Sequence, residues 1–211
     1  MPRQPNKYTR VTTILDFINS SWKQYWIKSV GIAETDRISR ESTEFGRQVH
    51  AIAENYLTGK IIEKTPTERE QFCGDLLIRW CKEAQVKPLE LEGQKAVEVE
   101  LKSETYGLIG HPDLICTFDK DSTLFVCDWK TSKEFRLEYP LQLAAYAMML
   151  KEQYGLVCND GAIIRTPSDP NVMPQFETHE YHQLSEKYQG VFLECLDIYN
   201  YFSKKGRFKQ K

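Results

Sequence analysis

Nowhere in this 211-residue chain does an apolar run approach the ~20 residues a helix needs to cross a bilayer, so no helical membrane span is expected. The six cysteines, at 73, 81, 116, 127, 158 and 195, include no CxxC pair. Their spacing therefore supports neither a disulfide framework nor a zinc or iron–sulfur centre. Cys116 and Cys127 fall in apolar, strand-like segments and read as small buried hydrophobes, which makes a reducing compartment the simplest expectation. A glycine-rich phosphate loop, an internal repeat, a low-complexity linker and a helicase motif are also missing. Nor is there an excess of basic charge, since 28 Lys and Arg face 30 Asp and Glu for a net −2. That balance weighs against a protein that coats nucleic acid, but it permits a local basic groove beside acids gathered at a metal. The basic C-terminal run KKGRFKQK reads first as a solvated tail. No apolar segment follows the basic start MPRQPNKYTR, so no secretory signal is expected.

What is present is an ordinary globular composition, 41% hydrophobic and 27% charged, with enough length to bury a substantial core. To about residue 87 the chain reads as helical, with apolar residues at three-to-four spacing around 12–29, 41–58 and 67–85. In the second segment Phe45, Val49, Ile52, Ala53, Tyr56 and Leu57 make one stripe, closed by Gly59 as a C-terminal cap. From about residue 95 the period changes to two. Val97, Val99 and Leu101 alternate with Glu98, Glu100 and Lys102, which predicts a half-buried strand. Tyr106–Phe118, interrupted at Gly110-His111-Pro112, predicts a second strand, and Thr123–Lys130 a third, with Asp119–Ser122 as the turn. An apolar helix over Pro140–Gly155 follows, then strands at Ala162–Thr166 and Phe176–Tyr181, and an amphipathic helix over Leu184–Phe202. This order predicts a mixed α/β sheet with a helical N-terminal elaboration.

The chemistry concentrates where the third strand ends, in CDWKTSK. Period two puts Asp128 and Lys130 on one face and Trp129 on the other. A charge near a core is costly unless it is paired or bound to a metal. Taken alone, a surface Asp–Lys pair is the better reading. The preceding strand carries GHPDLI, and a short connection would set Asp113 beside Asp128. Two adjoining carboxylates repel unless a cation lies between them, and oxygen ligands with open water positions suit Mg²⁺ or Mn²⁺. Lys130 could then stabilise charge developing on a phosphate or help position the attacking water. Gln142 and Tyr146 stack four apart on the buried helix, either as a support for this site or as a pair satisfied by backbone. His50 shares a helical stripe with Gly46. A lone helical histidine is usually structural, but here the glycine would permit a close helix approach that leaves His50 facing a site.

Together these residues resemble the PD-(D/E)XK nuclease superfamily in its RecB-like exonuclease branch. The elements are GxxxH from Gly46 to His50, GHPD with Asp113, DWK with Asp128 and Lys130, and QxxxY from Gln142 to Tyr146. All four occur in the expected order across residues 46–146. DWKTS followed by PLQ and AY looks like the mitochondrial genome maintenance exonuclease group and its phage and bacterial relatives. So does the opening VTTIL followed by Trp22 and Trp26.

The resemblance implies a restriction-endonuclease-like mixed sheet flanked by helices, a single nuclease domain over 1–211. Residues 1–90 would form the helical elaboration and 91–211 the catalytic core. It implies one or two Mg²⁺ or Mn²⁺ ions held by Asp113, Asp128, His50 and the backbone carbonyl of Trp129, and no iron–sulfur cluster. Lys130 would act on the hydrolytic water and the developing charge, while Gln142 and Tyr146 support the site and touch DNA. Arg47 and Lys133 would contact the substrate. Glu98 either matches an acidic position on the preceding strand or faces solvent. The expected activity is a DNA exonuclease preferring single strands or free ends, in replication, recombination or repair. A recombination or replication protein is the expected protein partner, in a bacterial or phage-infected cytoplasm. Trp22, Tyr25 and Trp26 are candidates to stack on bases, against core packing as the commoner role, and Arg37, Arg40 and Arg47 are candidates to meet phosphates. Three alternatives stand beside this reading. They are a structure-specific or restriction-like endonuclease, an inactive DNA-binding module of the same fold, and a small-molecule α/β enzyme using a Lys–Asp pair.

Overall fold

In the computed structural model, residues 7–20, 27–29, 31–118, 121–167 and 175–207 are described. The chain begins with a two-residue strand, β1 (Thr9–Arg10), that runs into helix α1 (Val11–Ile18), whose Val11, Ile14 and Leu15 are buried. Helix α2 (Ile32–Thr58) is 27 residues long. Its first half is largely exposed, while Val49, Ile52, Ala53 and Leu57 in its second half carry the apolar stripe into the core. Gly59 ends it in the left-handed region at φ 80°, with its N–H on Asn55 O at 2.7 Å. Helix α3 (Glu68–Glu83) starts from a capping box. Glu70 Oε2 accepts from Thr67 N at 2.7 Å, and Thr67 Oγ1 accepts from Glu70 N at 3.3 Å. It packs against α2 so closely at Gly74 that a Cβ there would lie 2.5 Å from Ile52 Cγ2.

Three short strands follow, β2 (Val86–Pro88), β3 (Glu90–Leu91) and β4 (Gln94–Lys95), the last two forming a hairpin. Then come β5 (Leu101–Ser103), β6 (Leu108–Gly110), β7 (Leu114–Phe118) and β8 (Asp121–Lys130). The buried helix α4 (Tyr139–Tyr154) leads to β9 (Asp160–Arg165) and β10 (Glu177–His182). Helices α5 (Leu184–Lys187) and α6 (Gln189–Arg207) close the chain.

The main sheet has the order β10-β9-β8-β7-β2, with β8 and β9 parallel and the other pairs antiparallel. Helix α4 supplies the crossover that the parallel pair requires. Alternation sorts the side chains into two layers. Ile115, Val126 and Ile163 point to one face, under α1, α4 and α6. Leu114, Cys116, Phe125, Cys127, Trp129, Ala162 and Ile164 point to the other, under α2 and α3. The architecture is thus the mixed α/β sheet flanked by helices that the residue pattern predicts. All six cysteines are free and buried. Among the described residues no helix is long and apolar enough to cross a membrane.

Several boundaries differ from the sequence reading. The helical stretch contributes β1 and β2 to sheets, because Thr9 and Val86 reach open edges at β6 and β7. The alternating segment 97–101 is not a continuous strand. Val97 makes one bridge to Leu114, Glu98 turns into the left-handed region at φ 53°, and pairing resumes only at Leu101. Gly110-His111-Pro112 separates two sheets, since β6 belongs to a second sheet, β1-β6-β5. The closing helix is broken at Tyr188, where φ is −122°.

Candidate active site

The end of β8 brings the candidates together. Asp128 and Lys130 face α4, and Trp129 faces α2. The register Leu114↔Cys127 leads, one step further, to Asp113 opposite Asp128. Asp113 is not a strand residue, and its Oδ2 accepts a hydrogen bond from the Trp129 N–H. N–H and C=O of one residue in an extended strand point to the same side, so the Trp129 carbonyl leaves β8 on the side where its N–H meets Asp113.

Helix α2 delivers His50 to the same place. Its Nδ1 lies 3.1 Å from Asp113 Oδ1 and 3.7 Å from Glu98 Oε1, and its ring stands edge-on to the Trp129 indole at 5.6 Å. One donor atom from each of His50, Glu98 and Asp113 falls within 4.8 Å of the others. The left-handed turn at Glu98 aims this carboxylate inward. A non-glycine residue held in that region is strained by about 1–3 kcal/mol, a cost concentrated at functional sites. Asp113 is almost buried, with side-chain exposure of 7%, whereas Glu98 at 32% leaves the cluster open to solvent on one side.

A second cluster adjoins the first. Lys130 Nζ pairs with Asp128 Oδ2, donates to Gln142 Oε1 at 3.2 Å and lies 5.1 Å above the Tyr139 ring. Gln142 Nε2 donates to Asp128 Oδ1 at 2.8 Å and to Tyr146 Oη at 2.9 Å. The Gln–Tyr stripe therefore orients Asp128 and Lys130 instead of capping backbone. Gly110 makes room for it, since a Cβ there would lie 2.4 Å from Tyr146 Cε1.

Charge is balanced tightly in this largely buried setting. Burial would lower the His50 pKa, but Asp113 and Glu98 outweigh it and raise the imidazole to about 10. Burial lifts Asp113 to about 7, with the nearby Asp128 and Glu98 adding to the rise and His50 opposing it. Glu98 is held below its ordinary value, because His50 overcomes the effect of burial. Lys130 is raised against the pull of burial by Asp128 and Asp113. Burial, with Asp128, pushes the Tyr146 phenol well above its usual range.

His50, Asp113, Asp128, Trp129, Lys130, Gln142 and Tyr146 thus converge, and Glu98 joins them. The sequence leaves Glu98 between an acidic position on the preceding strand and a solvent-facing residue. Only its backbone conformation brings it in, which alternation does not encode. Tyr139 was not singled out by any motif, although it lies under Lys130. Gly46 does not serve as the close approach expected of it. A Cβ there would meet Thr131 Oγ1 at 3.5 Å, an ordinary contact. Arg47 is exposed and paired with Glu44 Oε2 at 2.6 Å, while Arg37 spans Glu34 and Glu41 at 2.6 and 2.7 Å. Arg40 Nε donates to Asp36 O at 3.2 Å. These three line the exposed part of α2 and the turn before His50, outside the cluster. Lys133 is exposed beyond the end of β8. Trp22, Tyr25 and Trp26 lie outside the described residues.

A mixed sheet whose central strand ends in a carboxylate–lysine pair, beside a second carboxylate and a histidine, defines an α/β protein with donor atoms grouped closely enough for a metal ion next to an ammonium. The profile of the PD-(D/E)XK nuclease superfamily matches residues 17–189, and the chain belongs to that superfamily. No curated protein matches it. Among solved structures the chain is similar to SSO0001, at 13% identity and a TM-score of 0.45, over 92% of this chain and 75% of that one. It is similar also to an alkaline exonuclease, LHK-Exo from Laribacter hongkongensis, at 12% identity and a TM-score of 0.40, over 98% and 96% of the two chains. LHK-Exo in complex with dAMP gives 13% identity and a TM-score of 0.41 over the same shares.

Proposed function

We propose that this protein is a metal-dependent DNA exonuclease of the RecB-like branch, hydrolysing phosphodiester bonds at free ends or in single strands. The observation that carries this reading is the donor set His50, Glu98 and Asp113 within 4.8 Å, placed beside the Asp128–Lys130 pair. Two carboxylates and one imidazole, open to solvent on the Glu98 side, fit a divalent ion that keeps water ligands, as Mg²⁺ and Mn²⁺ do. His50, Glu98 and Asp113 would hold it, with Asp128 and the Trp129 carbonyl as further donors beside them. When bound, such an ion polarises a phosphoryl oxygen and lowers the pKa of a coordinated water.

The residues of the chain do the remainder. Asp113 is fixed by the Trp129 N–H, so its second oxygen stays directed at His50. Lys130 is held protonated by Asp128 and Asp113 and offers a positive charge to the phosphate as negative charge develops on it. Gln142 keeps Asp128 and Lys130 in register, and Tyr146 anchors Gln142. Arg47 and Lys133, both exposed, are the proposed phosphate contacts along the incoming strand, in a setting of replication, recombination or repair.

The test is cleavage of end-labelled single- and double-stranded DNA with Mg²⁺, Mn²⁺ or EDTA, alongside Lys130→Ala. Cleavage should need the metal and fall by about 10²–10³-fold in the variant, the usual loss of one transition-state donor. Metal-independent cleavage, or an unchanged variant, would overturn the mechanism. Cutting of closed circular single strands would point instead to an endonuclease.

A further inference from the structure

We infer that Arg165 is a positioning residue for Lys130, acting through Ser132 and Tyr139; the inference rests on the nuclease reading above. No motif marks Arg165. It lies on β9 directly across from Lys130 in the parallel register, with a side chain only 11% exposed. Its guanidinium is shared between the segment that follows Lys130 and Glu177 on β10, which also takes Nη2. Nη1 donates to Lys133 O at 2.6 Å and to Ser132 O at 3.2 Å, and Nε donates to Glu177 Oε2 at 2.9 Å. The Phe135 ring lies 5.4 Å from its centre. Residues 132–135 are thereby wrapped around one buried cation.

Ser132 carries the restraint onward. Its hydroxyl donates to Glu134 O at 2.9 Å and accepts from Tyr139 Oη at 2.9 Å. That bond fixes the phenol of Tyr139, whose ring face lies 5.1 Å from Lys130 Nζ. Lys130 is thus held by three partners, Asp128, Gln142 and Tyr139, and the third is set by Arg165. The fork geometry matters here. Arg165 reaches two carbonyls and a carboxylate at once, which an ammonium on a flexible stem does not reproduce. A purely structural ion pair would act on stability and leave the chemical step alone.

The experiment is a double-mutant cycle on turnover of end-labelled DNA, using Arg165→Lys, Tyr139→Phe and both together, with thermal unfolding of each protein. Each single change should lower kcat about 10-fold with KM within about twofold, as loss of a supporting hydrogen bond does. The double variant should lose little more than either single, because both act on one linkage. An unchanged kcat in folded Arg165→Lys, or independent losses multiplying to about 100-fold, would overturn the inference. If Arg165→Lys does not fold, Tyr139→Phe and Ser132→Ala read the same linkage, and full kcat in both overturns it. A wild-type protein that cuts no DNA overturns the nuclease reading with it. An active wild type with unaffected variants overturns this inference alone.

Discussion

Asp113 and Glu98 raise the His50 pKa, which favours a proton on a ring that a metal needs bare. In the metal-free protein the His50 pKa is raised to about 10 and that of Asp113 to about 7, both above the values of free side chains. Protons therefore compete with a cation for these atoms near neutral pH. Binding of Mn²⁺ should release protons at pH 7, and its apparent affinity should rise as pH climbs from 6 to 8. Titration calorimetry in two buffers of different ionisation enthalpy checks this, and affinity that falls with rising pH would contradict the donor assignment. Gly110 gives a second outcome at this scale. A methyl group there would meet the Tyr146 ring at 2.4 Å, so Gly110→Ala should displace the Gln142–Tyr146 pair and cost about 1–3 kcal/mol by chemical denaturation, with reduced turnover. Asp113, Asp128, Lys130, Gln142 and Tyr146 were legible because motif spacing and helix or strand period fix their faces. Glu98 was legible only as one of two readings, since its inward turn depends on a positive φ that alternating side chains do not signal.

At the level of elements, the α2–α3 contact is set by a missing side chain. Gly74 faces Ile52 so closely that Gly74→Ala should destabilise the fold by about 1–3 kcal/mol despite the gain in helix propensity, measured as a lower denaturation midpoint. The same pair of helices explains what the sequence disclosed. Segments 41–58 and 67–85 were readable because a stripe at three-to-four spacing meets a single neutral layer, and Gly59 closes the first of them. The exposed first half of α2 has no such stripe, so its helix extends ten residues or so beyond the part the pattern supports. Strands of two or three residues, β1 and β2 among them, are too short for a period to register. Their pairing comes from edges formed elsewhere in the chain.

For the molecule as a whole, the candidate donors come from three distant stretches. His50 lies on α2, Glu98 on the irregular segment before β5, and Asp113 at the entry to β7. An ion held by all three ties the helical layer to the sheet. Saturating Mn²⁺ should raise stability by about 2.7 kcal/mol at a hundred times its dissociation constant, seen as a higher melting temperature. Asp113→Asn should remove that shift. A shift that survives the substitution would mean that the ion binds elsewhere.

Trp129 has an optical consequence. Its indole is 1% exposed, its Nε1 has no hydrogen-bond partner among the described residues, and His50 meets it edge-on. Such a ring emits at short wavelength, and an imidazolium beside it drains its excited state. When a cation displaces that proton the emission should brighten. The protein thereby carries its own dye at the site, and the difference spectrum against Trp129→Phe would report the ion's arrival without any label.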